Sequence, residues 1–240
     1  MIVQACLNGR HGCNWHPRVP TTPDAIVADA AESVRAGANE LHIHVRAADG
    51  AETLRPDVVD ETISGLRKAC PGTLIGISTG VWIERDDARR RDYLRRLSVL
   101  PDYASVNVNE DDSAGLIALL VERGIGVELG IWVAEDARRA IEHDLVRPCF
   151  RVLLEIMHQD GAAALAELDA IERVLADSPQ KSVLLHGDKA QVWPLVDAAF
   201  ARGYSTRVGL EDGRHLPDGT LATSNAALVK AAIARRMRLG

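Results

Sequence analysis

Short apolar runs alternate with longer stretches of helical period from one end of the chain to the other. The runs predict strands over residues 2–8, 40–45, 73–79, 103–108, 126–132, 151–156, 182–187 and 205–210. The intervening spacing predicts helices over 23–36, 55–69, 86–97, 113–123, 134–143, 161–176, 189–202 and 226–238. Boundary signals support several of them. Thr22-Pro23 reads as an N-cap followed by proline at the first helical position, and Gly37 and Gly124 stand where helices should stop. Eight strands, each followed by a helix, in 240 residues describe a single (β/α)8 TIM barrel with its site at the C-terminal ends of the strands. An open doubly wound sheet uses the same alternation, but eight units are typical of the closed barrel.

A barrel demands apolar residues on the outward strand face, beneath the helices, and tolerates polar ones inside, toward the mouth. The alternation complies. Leu41, Ile43 and Val45 share one face of the second strand, leaving Glu40, His42, His44 and Arg46 on the other. The fourth strand leaves Ser105, Asn107 and Asn109 inside, the fifth Glu128, the sixth Arg151 and Glu155, and the eighth Arg207, Gly209 and Glu211. Such an interior is a site as well as a core.

Charge and composition then narrow the class. Net charge is −6 with acids and bases interspersed, which does not indicate nucleic-acid binding. No apolar run approaches the ~20 residues of a membrane span, and the first residues lack the pattern of a signal peptide. Four scattered cysteines without CxxC pairing fit free thiols, so a cytoplasmic protein is expected. Neither GxxxxGK nor GxGxxG occurs.

The candidate chemistry gathers at the strand ends: Asn8, His44, Ser78, Asn109, His186, Glu211 and Asp212. Two histidines two apart on a strand can aim both imidazoles into one space, although each alone also fits a hydrogen-bonded core histidine. Strands two and eight both neighbour strand one in a barrel, which brings Glu211 toward His42 and His44. Two histidines and a carboxylate leave coordination positions open, as catalytic metal sites do. Glu211 as an ion-pair partner of Arg207 or Arg46 is the structural alternative. Asp212, one residue beyond, is a candidate base. Ser78, Asn8, Asn107 and Glu128 are candidate substrate contacts. The long segment Asn8–Thr22, with His11, Cys13, Trp15 and His16, reads as a substrate loop. Arg89-Arg90-Arg91 reads as a solvated face.

The blocks Val-Pro-Thr-Thr-Pro-Asp (19–24), Ala-Gly-Ala-Asn-Glu-Leu-His-Ile-His-Val-Arg (36–46), Ile-Ser-Thr-Gly (77–80), Arg-Val-Gly-Leu-Glu-Asp (207–212) and Leu-Pro-Asp-Gly-Thr-Leu-Ala-Thr (216–223) together resemble the beta-keto acid cleavage enzymes. The resemblance implies a zinc-dependent barrel, one Zn2+ per chain, that exchanges an acyl group between a beta-keto acid and acetyl-CoA, giving acetoacetate and a new acyl-CoA. It implies His42, His44 and Glu211 as zinc ligands, Arg207 and Asp212 as the acid–base pair, Ser78 on the substrate, and a homo-oligomer, a tetramer, for which Leu228, Ile233 and Met237 offer an apolar face. Val81-Trp82 stands where the family commonly has a second glycine, and Ser105–Glu110 replaces a Gly-containing turn. A metal-dependent hydrolase of the amidohydrolase type and a non-catalytic metal- or acid-binding barrel are the rival classes; the former carries its HxH on the first strand rather than the second.

Overall fold

The eight apolar runs become short parallel strands that close on themselves. The structure, a computed structural model, describes residues 1–179 and 181–239. In chain order the elements are β1 (Val3–Cys6), α1 (Pro23–Arg35), β2 (Glu40–Ile43), α2 (Pro56–Ala69), β3 (Leu74–Ser78), α3 (Asp87–Arg95), β4 (Tyr103–Asn107), α4 (Ser113–Glu122), β5 (Gly126–Ile131), α5 (Ala134–Glu142), β6 (Arg151–Ile156), α6 (Gly161–Leu175), β7 (Ser182–Gly187), α7 (Val192–Ala201), β8 (Ser205–Val208) and α8 (Asn225–Leu239). Each strand pairs with the next, and β8 returns to β1 with Gln4 opposite Arg207, so this is a single (β/α)8 TIM barrel.

Local chemistry explains the boundaries. Thr22 caps α1 by accepting from the Ala25 N–H, and Asp86 and Asp160 do the same for α3 and α6. Strands one, two and eight are shorter than their apolar pattern. Beyond Cys6 and Ile43 the Asn8 side chain takes over the ladder, donating to His44 O at 2.9 Å and accepting from His44 N at 3.0 Å. The seventh helix is divided: Lys189 has a positive φ of 50°, and a 3-10 turn over Lys189–Gln191 precedes α7. Pro194 then falls in the first turn of α7, where a missing N–H costs nothing.

The apolar shell lies between strands and helices. Leu41, Ile43, Val106, Leu129, Leu154 and Val208 are buried against helix residues such as Ile63, Leu94, Leu120 and Leu168. Truncating one of these to alanine costs about 2–5 kcal/mol. Helix α8 belongs to this shell: Leu228 is buried and Ile233 packs on the core, and of the three residues expected to form an assembly face only Met237 is exposed. Arg90 also departs from its expected solvated face. It is fully buried, donating to Glu110 and Asp87, whereas Arg89 stays outside with Glu84.

Deep inside the barrel sits a charged layer. Arg151 on β6 donates to Glu128 on β5 and to Glu40 on β2, each at 2.5 Å, and its guanidinium lies 4.9 Å from the Tyr103 ring centre. Gln4 on β1 donates to Tyr103 Oη and Glu128, and Tyr103 Oη donates to Leu41 O at 2.7 Å. Burial would raise the Glu128 carboxyl, but Arg151 holds it below its ordinary value.

Candidate active site

A cavity of about 480 Å³ opens at the C-terminal ends of the strands. On one wall β2 delivers His42, and His44 follows just past its end. The opposing carboxylate arrives differently from the sequence expectation. Strand β8 stops at Val208, and a turn in which Asp212 N and Gly213 N both bond Gly209 O carries Glu211 and Asp212 over the mouth. Gly209 permits this turn because the chain passes so close to β1 that a Cβ would lie 1.7 Å from Cys6 O. Gly9 fits beneath in the left-handed region (φ 54°), where a Cβ would meet the Glu211 side chain.

Ligand atoms of His42, His44 and Glu211 all lie within 4.8 Å of one another. His44 Nε2 is 3.5 Å from Glu211 Oε1, and His42 Nε2 is 3.9 Å from Glu211 Oε2. Burial pulls the His42 imidazole down to about 4 against the opposing pull of Glu211, so it is neutral and keeps a lone pair. Glu211 would be raised by burial, but Arg207 and the two histidines hold it well below the usual carboxylate range. Its Oε2 is buried with no hydrogen-bond partner. A neutral imidazole, a charged carboxylate and an orphaned acceptor within this radius fit a divalent ion such as zinc.

His44 is held from behind. Its Nδ1 lies 2.5 Å from Glu52 Oε1, which also accepts from Trp82 Nε1 at 3.2 Å. Burial alone would depress its pKa, yet Glu211 and Glu52 push it up to about 9. Beside this set, buried Arg207 donates from Nη2 to Glu211 Oε1 at 2.9 Å and to Asp212 Oδ1 at 2.7 Å. Asp212 Oδ2 is buried, unpartnered and at the cavity. His186 completes the wall. Its Nδ1 is 3.4 Å from Asp212 Oδ1 and its Nε2 is 3.4 Å from Glu155 Oε2, ion-pair distances without the alignment of a hydrogen bond. Burial and Arg207 depress it, but Asp212 and Glu155 push it up to about 9.

The cavity thus gathers His42, His44, Ser78, Asn107, Arg207, Glu211 and Asp212 from the residues expected there, with His186. Two expected contacts lie elsewhere. Asn8 is spent on the backbone of His44 and Pro20, and Glu128 lies in the charged layer below; both are fully buried outside the cavity lining. Asn109 faces a neighbouring cavity. Arg46 holds the carbonyls of Gly9, His11 and Gly50 and locks the first two loops together. The first loop lines the mouth with Arg10 and His11, but its histidines are not gathered for a second ion: His11 stacks on Trp15 and His16 bonds Ala222 O. Glu52, Glu155, Trp132 and Met157 complete the surroundings without having been singled out as site residues. Alternation already turned Glu155 inward and the predicted fifth strand ended on Trp132, which follows β5 directly, whereas Glu52 and Met157 lie in loops that no period describes.

Fold and site together define a barrel enzyme built around two histidines and two adjacent carboxylates. The profile of the beta-keto acid cleavage enzymes matches residues 1–240, and the chain belongs to that family. It is a carbon–carbon bond-cleaving acyltransferase. It is 26% identical to the 3-keto-5-aminohexanoate cleavage enzyme of Fusobacterium nucleatum over 258 aligned residues, covering 100% of this chain and 92% of the relative. It is 27% identical to the 3-oxoadipate:acetyl-CoA acetyltransferase of Cupriavidus necator, over 89% of this chain and 80% of that one. Among solved structures, apo ObcA superposes with a TM-score of 0.75 at 21% identity, over 92% of this chain and 62% of ObcA. A type I 3-dehydroquinate dehydratase from Clostridium difficile gives 0.65 at 14%, covering 98% of this chain and 92% of that one. These two likenesses concern the fold.

Proposed function

We propose that this enzyme condenses a beta-keto acid with acetyl-CoA, giving acetoacetate and a new acyl-CoA, and that it carries one Zn2+ per chain on His42, His44 and Glu211. The observation that carries the reading is the meeting, in one cavity, of that ligand set with an Arg207-held Asp212 whose Oδ2 is free. A zinc ion there would supply Lewis acidity toward the carboxylate and keto oxygens of the substrate.

The chain's own residues then move the proton and hold the reactants. Asp212 Oδ2 takes a proton from C2 of R–CO–CH2–COO−. The resulting carbanion attacks the thioester carbonyl of acetyl-CoA and expels the CoA thiolate. The thiolate adds to the R–CO carbon, the C2–C3 bond breaks, and R–CO–SCoA leaves with the carbanion of acetoacetate. Asp212 returns the proton to that carbanion, so no atom or charge is left over. Arg207 keeps Glu211 ionised and, by donating to both carboxylates, fixes Asp212 and Glu211 relative to each other. Ser78 and Asn107 line the cavity where the substrate would lie. Asn107 is itself held by donating to Glu110, which also accepts from Val81 N and from Arg90. The two loops that depart from the family pattern are therefore one hydrogen-bonded unit.

The name of the Cupriavidus relative, which includes acetyl-CoA, supports the cosubstrate. The proposal places the enzyme in the cytoplasm, which its four free cysteines, three of them buried, support. Among the described residues no helix is long and apolar enough to cross a membrane. The family resemblance supports a homo-oligomer, a tetramer; a stable monomer by light scattering at micromolar concentration would remove that part. The test of the reaction is a panel of beta-keto acids assayed with acetyl-CoA for new CoA esters. Turnover with water alone would instead indicate a hydrolase, and zinc binding without any turnover a binding barrel.

A further inference from the structure

The two histidines of the candidate metal set are not held alike. His42 Nδ1 is buried with no hydrogen-bond partner. His44 Nδ1 meets Glu52 Oε1 at 2.5 Å, in the position from which a carboxylate fixes the tautomer of a metal-bound imidazole. With Nδ1–H donated to Glu52, Nε2 is the nitrogen that faces Glu211, 3.5 Å away, and the one that would ligate an ion on giving up its proton.

Glu52 is fixed in turn. It follows a tight reversal in which Gly50 N bonds Ala47 O and Ala47 N bonds Ala51 O, and its backbone bridges Arg46. Its Oε1 accepts a second hydrogen bond, from Trp82 Nε1 at 3.2 Å, and the Trp82 ring lies 6.2 Å from the His44 ring at an interplanar angle of 20°. Trp82 folds back over Gly80, where a Cβ would overlap its ring, and it forms a wall of the substrate cavity and of the neighbouring cavity of about 410 Å³. One residue thus touches substrate space with its ring and the histidine's support with its N–H.

We infer that Glu52 is the positioning residue of this metal site and that Trp82 acts on the site through it. Glu52 selects the His44 tautomer and rotamer, and the Trp82 hydrogen bond keeps the carboxylate turned toward Nδ1. The inference rests on the reading of His42, His44 and Glu211 as metal ligands. It makes the two histidines unequal: support concentrated on His44 compensates for His42, which has none.

The test is zinc affinity, measured on purified protein by competition with a chromogenic chelator and independent of turnover. Glu52→Gln and Glu52→Ala should each weaken zinc about 10–100-fold. Trp82→Phe, which keeps a ring and loses the donor, should weaken it by less, in the same direction. The double variant Glu52→Ala/Trp82→Phe should bind no more weakly than Glu52→Ala alone, since the tryptophan works through the carboxylate. Thermal unfolding of the metal-free proteins should coincide with the parent; variants that do not fold are replaced by Glu52→Gln alone, the most nearly isosteric change. Parent-like zinc affinity in Glu52→Ala would overturn the inference, and a Trp82 effect that persists in the Glu52→Ala background would overturn the coupling. If the parent turned over no beta-keto acid yet the affinities fell as stated, the proposed reaction would fail and this inference would stand.

Discussion

On the proposed reaction, replacing Asp212 with asparagine should separate proton transfer from everything else the site does. The Asp212 side chain is 4% exposed; Oδ1 accepts from Arg207 Nη2 at 2.7 Å, and Oδ2 is unpartnered at the cavity. Asparagine keeps that shape and can still accept from Arg207, but its amide nitrogen replaces the oxygen that would take the proton. Arg207 retains Glu211 at 2.9 Å, so no guanidinium is left buried without a carboxylate, and the structural cost stays small. Loss of a positioned base lowers kcat about 10²–10⁴-fold. At ~1.4 kcal/mol per decade that is about 3–5 kcal/mol of transition-state stabilisation. The assay has three arms: CoA-ester formation, deuterium exchange at substrate C2, and zinc by elemental analysis. Asp212→Asn should hold its zinc, keep KM within a few-fold, and lose turnover and exchange together. Glu211→Gln should lose zinc instead, and added zinc should restore part of its activity but none to Asp212→Asn. A zinc-poor Asp212→Asn beside a zinc-replete, inactive Glu211→Gln would exchange the two roles, and Asp212→Asn within tenfold of the parent would remove the base.

Three further outcomes follow from the geometry. His42→Ala and His44→Ala should each abolish the ~1:1 zinc content, because the two remaining protein ligands are too few to retain the ion; full zinc in both would put the ion elsewhere. Gly209→Ala should destabilise the fold by about 1–3 kcal/mol or more, since backbone meets backbone at Cys6 O and no side chain can rotate away; an unchanged denaturant midpoint would contradict it. His186, raised to about 9 between Asp212 and Glu155 and opposed by Arg207, should stabilise the fold fully below its unfolded pKa of ~6.5 and progressively less as pH rises through about 9. Urea unfolding should show this loss, at most about 3 kcal/mol, flattened in His186→Gln; identical pH slopes in parent and variant would refute it.

The barrel is legible in the sequence because two-residue and helical periods are local and the shell they build is simple. Strand β6 and strand β7 appear with their predicted limits. The gathering of the candidate ligand set is legible for the same reason: His42 and His44 share a face, and Glu211 sits near the end of a strand beside the one that joins them. What alternation cannot supply is height along the barrel axis. Glu128 and Asn107 both point inward, yet one lies in the charged layer and the other lines the cavity. Alternation also stops where the chain turns, so Glu211 reaches the mouth through a turn after Val208 rather than on an extended strand. Arg90 looked like surface because its partner Glu110 belongs to another loop. Glu52 was invisible because it lies in a reversal with no period at all.

The charged layer at the bottom of the barrel bears on how the chain can be divided. Arg151 and Glu128 belong to the second half of the molecule, whereas Glu40, Gln4 and Tyr103 belong to the first, and all five are buried together. A cut between β4 and β5 would leave one fragment with Glu40 deprived of its cation and the other with Arg151 tied to Glu128 alone, each facing an unfilled interior. The halves share one electrolyte rather than owning separate cores. Neither fragment is a self-sufficient module, and the seam between them can close only when both have arrived.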